Sequence, residues 1–501
     1  MNHIKLFLTH LFIIAFASNA IAQNSKTVEI LNANNTVIDE EKGKDLRMLI
    51  GDVRLKHEDA LMFCDSAYIY SDSKFLEAFG DVEVQHGDTV NLTGKYLKYN
   101  GNTRVCEVEN DVRLINNETI LTTDKKLIYN MSTDEAYYEQ YGVIQDTTNT
   151  LESKKGRYNT KTKKMFFRDS VYVYNDNYKI YSDTIDYNSQ DKIIVYRGPS
   201  HLYTDSSYVY SEKGWYSSIV NTGRAETNIY LKDDNTELWA DSLFIDKGNE
   251  IAEAYYSVQI RDSVNNYLIN GEKAIMNQRT NEATVTGLPY ITYIIDSDSM
   301  FVHADTLYSF QNKEEKKVLN AYHDVKLFKS DLQAKCDSLS YNEADSLIEF
   351  FHRPILWSET NQITGDSIRI TIKDQGFDKL YVVNHAFMIS EEDSTMHNQI
   401  KGKLMIGHFL NNQMEKINVI GNGQSIYYSK DEKEEITGVN KADCSNMIIY
   451  IKDNQVSSIS MLVKPDGTYY PTEQFPENLK RLKDFEWRGA EKPLKKADIF
   501  D

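Results

Sequence analysis

The sequence predicts an all-β protein made of stacked repeats, and three observations predict it. There is a period of about 29 residues, apolar residues stand two apart within each copy, and Asn, Asp and Gly punctuate the copies. One marker shows the period, an aromatic or apolar residue followed by a polar, usually turn-forming one. It runs Tyr70-Ser71, Tyr99-Asn100, Tyr129-Asn130, Tyr158-Asn159, Tyr187-Asn188 and Tyr216-Ser217. It continues as Ile245-Asp246, Met276-Asn277, Phe310-Gln311, Tyr341-Asn342 and Ile370-Thr371, at intervals of 29, 30, 29, 29, 29, 29, 31, 34, 31 and 29 residues. Chance does not hold a period that tightly. Looser copies follow around Ile406 and Tyr450, so about 12 repeats of about 30 residues are expected.

Each copy has one grammar. A short alternating strand (Asp81-Val82-Glu83-Val84) leads into a polar turn (His86-Gly87-Asp88). A longer strand with Leu97 and Tyr99 on one parity follows, then an Asn-led turn (Asn100-Gly101-Asn102) and a closing strand, Arg104 to Val108. Period-two alternation buries one face of a strand and wets the other. One such unit cannot bury its apolar face alone, whereas stacked copies can. Rungs about 4.8 Å apart, two per repeat, would make a rod on the order of 100 Å.

The ends depart from the pattern. Residues 1–22 read as a cleaved export signal: Lys5, a mostly apolar run over 6–17, then Ala20-Ile21-Ala22 before Gln23. Residues 23–45 form a polar lead-in with one strand at 27–31, 46–390 hold the clear repeats, and 391–470 hold degenerate C-terminal repeats. Residues 471–501 carry Pro471, Pro476 and Pro493 and are expected as a tail or cap. Leu479, Leu482 and Phe485 at i, i+3 and i+6 suggest a short helix covering the last strand.

Composition narrows the function. A net charge of −19 offers no basic excess for phosphates, so no nucleic-acid partner is expected, and the general field repels anionic headgroups. Tyr is abundant (34) while Gly (23) and Pro (7) are scarce, which excludes collagen-like and disordered readings. Cys64, Cys106, Cys336 and Cys444 form no C-x-x-C pair and are expected as buried thiols or incidental pairs. The recurring Asp65, Asp183, Asp241, Asp305 and Asp337, each followed by Ser or Thr, are read as local hydrogen-bonding residues rather than calcium ligands. His303, His323 and His352 lie in separate copies, and Trp215, Trp239, Trp357 and Trp487 read as packing anchors. No catalytic motif, metal site or cofactor site is expected, so the chain is not read as an enzyme.

The stretch Gly51-Asp52-Val53-Arg54-Leu55, Cys64-Asp65-Ser66-Ala67-Tyr68, Gly80-Asp81-Val82-Glu83-Val84 is similar to the OstA-like repeat of the LptA-type family. Its second element recurs at Ala240-Asp241-Ser242-Leu243, Ala304-Asp305-Thr306-Leu307 and Cys336-Asp337-Ser338-Leu339. The resemblance covers about 46–390 and implies an elongated, twisted β-jellyroll of two antiparallel sheets in a V. It implies a periplasmic carrier or bridge between inner and outer membranes, with lipopolysaccharide acyl chains (lipid A) in the groove. The implied partners are jellyroll-containing Lpt-type inner- and outer-membrane components that pair by edge strands. The chain has about twice the repeats of the compact bridge proteins, and it lacks the long barrel of the outer-membrane component.

Groove-lining residues are expected at Tyr68, Leu97, Tyr99, Leu127, Tyr129, Ile185, Tyr187, Leu243, Ile245, Leu339, Tyr341, Ile368 and Ile370. The same residues equally suit a closed, dry core, so an exported structural or adhesive β-solenoid without ligand stays open. A polysaccharide-active β-helix enzyme is a further alternative. It needs clustered acids in one cleft, which the evenly spread repeat does not show.

Overall fold

The computed structural model describes residues 27–38, 46–264, 266–294, 298–373, 376–410, 413–431, 433, 435–452 and 455–501. The expected export signal lies outside them. The chain divides into two units, Met1–Thr147 with Lys155–Thr162, and Thr148–Lys154 with Lys163–Asp501.

Within each unit the fold is an all-β, antiparallel jellyroll. Strands of 10–12 residues such as Ala60–Tyr70, Phe75–His86, Thr222–Lys232 and Thr236–Asp246 pair with their neighbours through tight reversals. The lead-in forms Glu29–Asn32 and Asn35–Ile38, both paired with Leu46–His57.

What bends these strands into two walls is a corner near the middle of each. There, two successive residues with positive φ or a Gly-led pair face a single residue of the next strand. Examples are Gly51-Asp52 (φ 81° and 45°), Asn110-Asp111, Asp169-Ser170, Thr227-Asn228, His323-Asp324 and Asn384-His385. Two residues against one is a β-bulge, which turns the chain and raises its twist. Gly, Asn and Asp tolerate the left-handed region that such a bulge needs. The recurring Asp residues stand at this corner. In the pairing of Thr222–Lys232 with Thr236–Asp246, Thr227 and Asn228 face Asp241 alone.

Because each strand crosses the corner, its inward residues divide between the walls. In Thr222–Lys232, Gly223 and Ala225 lie on one wall, and Ile229 and Leu231 on the other. Their partners in Thr236–Asp246 are Ile245, Leu243, Ala240 and Leu238 in that order. The period loosens after residue 370 because the strands lengthen, to 16, 14, 18 and 17 residues in Gly376–Glu391, His397–Leu410, Gln413–Lys430 and Ile436–Lys452.

The C-terminal segment corrects the sequence reading. It holds short 3-10 turns, Thr472–Gln474, Glu477–Leu479, Gly489–Glu491 and Lys496–Phe500, rather than an amphipathic helix over 477–487. It touches the last strand at Tyr470, whose ring lies 5.3 Å from Phe475, and runs as a strap over the outer face of one wall, crossing strands in reverse order. Phe475 packs on Tyr428, Leu482 enters a cluster with Phe387 and Ile389, and Phe500 reaches Tyr290 and His303. A helix does not form because strand side chains take the backbone groups. Gln399 donates to the Lys480 carbonyl and accepts from the Leu482 N–H, both at 2.8 Å. Gln362 does the same for Glu486 and Arg488, again at 2.8 Å. These two glutamines are 1% and 0% exposed beneath the strap, so the strap's backbone groups meet their amides out of reach of water.

Candidate functional site

In the first unit the walls are closed on each other. The corner joins them along one side, and buried polar side chains join them at the other, where the strands end. His57 Nδ1 lies 2.5 Å from the Tyr99 hydroxyl, and His86 Nδ1 lies 2.7 Å from the Tyr129 hydroxyl. Asn116 donates to the Tyr158 hydroxyl at 2.9 Å and to the Thr160 carbonyl at 2.6 Å. Arg104 closes the same rim outside them, 3.2 Å from Glu58 and bonded to Asp59. The partners stand 42 or 43 residues apart, one and a half repeats, which puts them on opposite walls. Leu76, Leu97 and Leu127 between them are fully buried. A tyrosine hydroxyl brought into such an interior needs a partner, and burial pushes that of Tyr129 up to about 12.

The second unit starts in the same way. Asn149 donates to the Tyr187 hydroxyl at 3.2 Å and accepts from Tyr178 at 2.7 Å, and the Tyr178 ring meets Tyr216 at 6.1 Å. Then the latch ends. The next positions in the tyrosine column are Ile245 and Met276, which have no hydroxyl. Beside them that wall's inward residues are Gly223, Ala225, Ala252, Ala254 and Ala274 next to Leu243 and Ile245, whereas the closed stretches set Ala67, Ala78 and Ala136 among Leu76, Leu97, Leu127 and Phe167. The opposite wall keeps Leu231, Leu238, Ile260 and Ile269, now only partly buried. Across this unlatched rim the side chains of Leu231, Leu238, Ile245, Ile260 and Ile269 are half-buried over a core that contains Ala225, Leu243 and Ala254, which makes a trough-like apolar stretch. Lys317 crosses its mouth, 3.6 Å from Asp262 and bonded to the Tyr267 hydroxyl. Beyond Tyr341 the interior closes again at Phe350, Ile368 and Ile370.

The sequence-derived lining residues therefore separate. Leu243, Ile245, Leu339 and Tyr341 border the trough. Leu97, Tyr99, Leu127, Tyr129, Ile185, Tyr187, Ile368 and Ile370 lie in closed interior. Tyr68 is a correction, because it is 37% exposed on the outer face, its ring 5.3 Å from Phe79. Parity runs inward through Met62 and Cys64, then steps by three residues at the corner to Ala67 and Ile69. Sequence reasoning missed the Gly and Ala positions. Their signal was the run of Gly and Ala at inward parity over residues 223–274, interrupted by Leu243 and Ile245.

The remaining chemistry is peripheral. The four cysteines are free and buried, and burial pushes the Cys64 and Cys336 thiols up to about 12. His323 and His352 are corner residues of adjacent repeats and both face Asp337, so they are less separate than their sequence positions imply. The Asp337 carboxyl is held below the usual range, first by the Ser338 hydroxyl and then by His323 at 3.4 Å. Among the described residues, no group of three His, Cys, Asp or Glu side chains is placed to hold a metal.

Residues 25–183 match the family described as OstA-like protein, and residues 268–376 match the family described as LptA/(LptD N-terminal domain) LPS transport protein. Both matched stretches are thus OstA-like, LptA-type in sequence. This OstA-like chain is also similar to a solved structure, that of LptH from Pseudomonas aeruginosa, the LptA-homologous periplasmic component of its lipopolysaccharide transport device. The identity is 13%, over 27% of this chain and 99% of that one, with a TM-score of 0.19. No curated protein matches. In the OstA-like chain, the second family match begins within the trough and runs past its closed end.

Proposed function

We propose that this OstA-like chain is a non-enzymatic periplasmic carrier of lipopolysaccharide, and that the trough between Tyr216 and Tyr341 holds the acyl chains. The observation that carries this reading is the unlatched apolar stretch, with small residues on one wall and partly exposed Leu231, Leu238, Ile260 and Ile269 on the other. Each methylene buried there is worth about 0.8 kcal/mol, so a few chains outweigh the repulsion of an acidic surface.

Jellyroll partners in the inner and outer membranes would join by strand addition at the terminal edges. At the N-terminal edge, Ile30, Leu31, Val37 and Ile38 are exposed on strands paired with Leu46–His57. At the other edge, Gln455–Leu462 and Asp466–Tyr470 pair with Ile436–Lys452, and Leu462, Val463 and Tyr469 are exposed.

One observation favours a dry structural solenoid instead, the fully buried interior of the first unit. Depleting the protein in its own cell while following newly made lipopolysaccharide by membrane fractionation separates the two readings. Accumulation in the inner membrane is expected of a carrier. Undiminished delivery to the outer membrane overturns the transport reading.

A further inference from the structure

Along the strand-stacking direction the trough runs from the Tyr178–Tyr216 ring contact to the buried Phe350, Ile368 and Ile370, and the Lys317–Asp262 ion pair crosses its mouth. The turns that border it differ from those elsewhere. In the closed stretches the rim turns are polar, as in Ser71-Asp72-Ser73-Lys74, Thr160-Lys161-Thr162-Lys163 and Ser189-Gln190-Asp191-Lys192. Beside the trough, the turn at 218–221 carries Ile219 and Val220, 62% and 58% exposed, and the opposite wall's turn after Asp262 carries Val264 at 64%. Met276, at the mouth position where the closed stretches have buried tyrosine, is 46% exposed. Single exposed aliphatics are ordinary, but several gathered at the mouth of one apolar stretch mark a contact surface.

We infer that this rim is a lateral portal, through which acyl chains pass sideways between the trough and a lipid surface that the Ile219, Val220 and Val264 tips touch. The inference rests on the groove reading above. It adds that loading does not require threading past the latched start of the second unit, where Asn149 bonds Tyr187 and Tyr178 meets Tyr216. The occupant follows from continuity: the exposed tips extend the apolar lining of the trough outward, and a fluid hydrocarbon phase can enter along it. The rim carries Asp233, Asp234 and Asp262 beside Lys247, Arg279 and Lys317, a mixed set on a chain of net charge −19, so the surface it suits is zwitterionic rather than anionic.

The test uses the full chain and phosphatidylcholine vesicles doped with a lipid bearing a fluorescent acyl chain. Transfer into the protein is followed by dequenching, and binding of the same lipid from detergent micelles serves as a second readout. The triple variant Ile219→Asp, Val220→Asp, Val264→Asp is compared with Leu288→Asp, which removes an equally exposed leucine (67%) at the corner, away from the mouth. The expected result is a loss of at least tenfold in the vesicle transfer rate for the triple variant, with micelle binding intact and Leu288→Asp unaffected. Transfer at the parent rate in the triple variant, or an equal loss in Leu288→Asp, overturns the portal while leaving the groove reading standing. Absence of micelle binding by the parent chain overturns both.

Discussion

The imidazole Nδ1 of His57 lies 2.5 Å from the hydroxyl of Tyr99, across the interior of the first unit, with both residues buried. This contact turns a V of two walls into a closed tube section. Tyr99→Phe keeps the ring volume and removes the hydroxyl that meets the imidazole across the rim. A loss of about 1–3 kcal/mol in the stability of the first unit is expected, measured by urea unfolding with probes in residues 46–130. An unchanged midpoint would contradict a structural role for the latch.

The corner makes a second prediction. At Gly80, φ is 95° and an added Cβ would lie 2.1 Å from the Asp65 carboxylate, whereas at Gly87 φ is 57° and nothing lies within 4 Å. Gly80→Ala should cost at least about 1 kcal/mol more than Gly87→Ala, because it combines left-handed strain with a clash. Paired thermal melts of the two variants measure the difference.

The strap gives a third. Gln399→Leu leaves the Lys480 carbonyl and the buried Leu482 N–H without their partner, at about 1–3 kcal/mol for each unsatisfied group. The variant should release residues 471–501 to limited proteolysis several-fold faster than the parent, with the strands beneath still protected. Equal cleavage rates would mean the clamp does not hold the strap.

Acid should loosen the same strap. The Arg488 guanidinium, with Lys335 adding to it against the opposing effect of burial, lowers the Glu491 carboxyl to about 2. A carboxyl depressed on folding contributes stability above its ordinary value near 4.5, and that contribution is lost as pH falls towards 2. Protease sensitivity of the strap should therefore rise between about pH 4.5 and 2 in the parent, and Glu491→Gln should flatten that rise. Because the pair is partly exposed, the effect is modest and weakens further in salt.

The period, the antiparallel strands and most of the core were legible in the sequence, because alternation and turn residues act locally within 11-residue strands. The marker column from Tyr99 to Tyr187 even carried the latch, although its His and Asn partners sit 38–43 residues away, and no local pattern pairs them. Two things were hidden. The corner looks like the start of a strand (Gly51-Asp52-Val53), and its odd step reverses parity, which put Tyr68 on the wrong face. The strap is held by Gln362 and Gln399, which read as polar strand residues until the chain end is seen lying on them.

Trough and closed interior make opposite demands on a photo-crosslinking residue, and this is the most direct test of lipid carriage. Placed in living cells at Ile245 and Leu238, which border the trough, it should give lipopolysaccharide adducts. At Leu97 and Leu127, fully buried behind the latch, it should give none. Adducts absent from Ile245 and Leu238 in a folded, exported protein would contradict lipid binding in the trough.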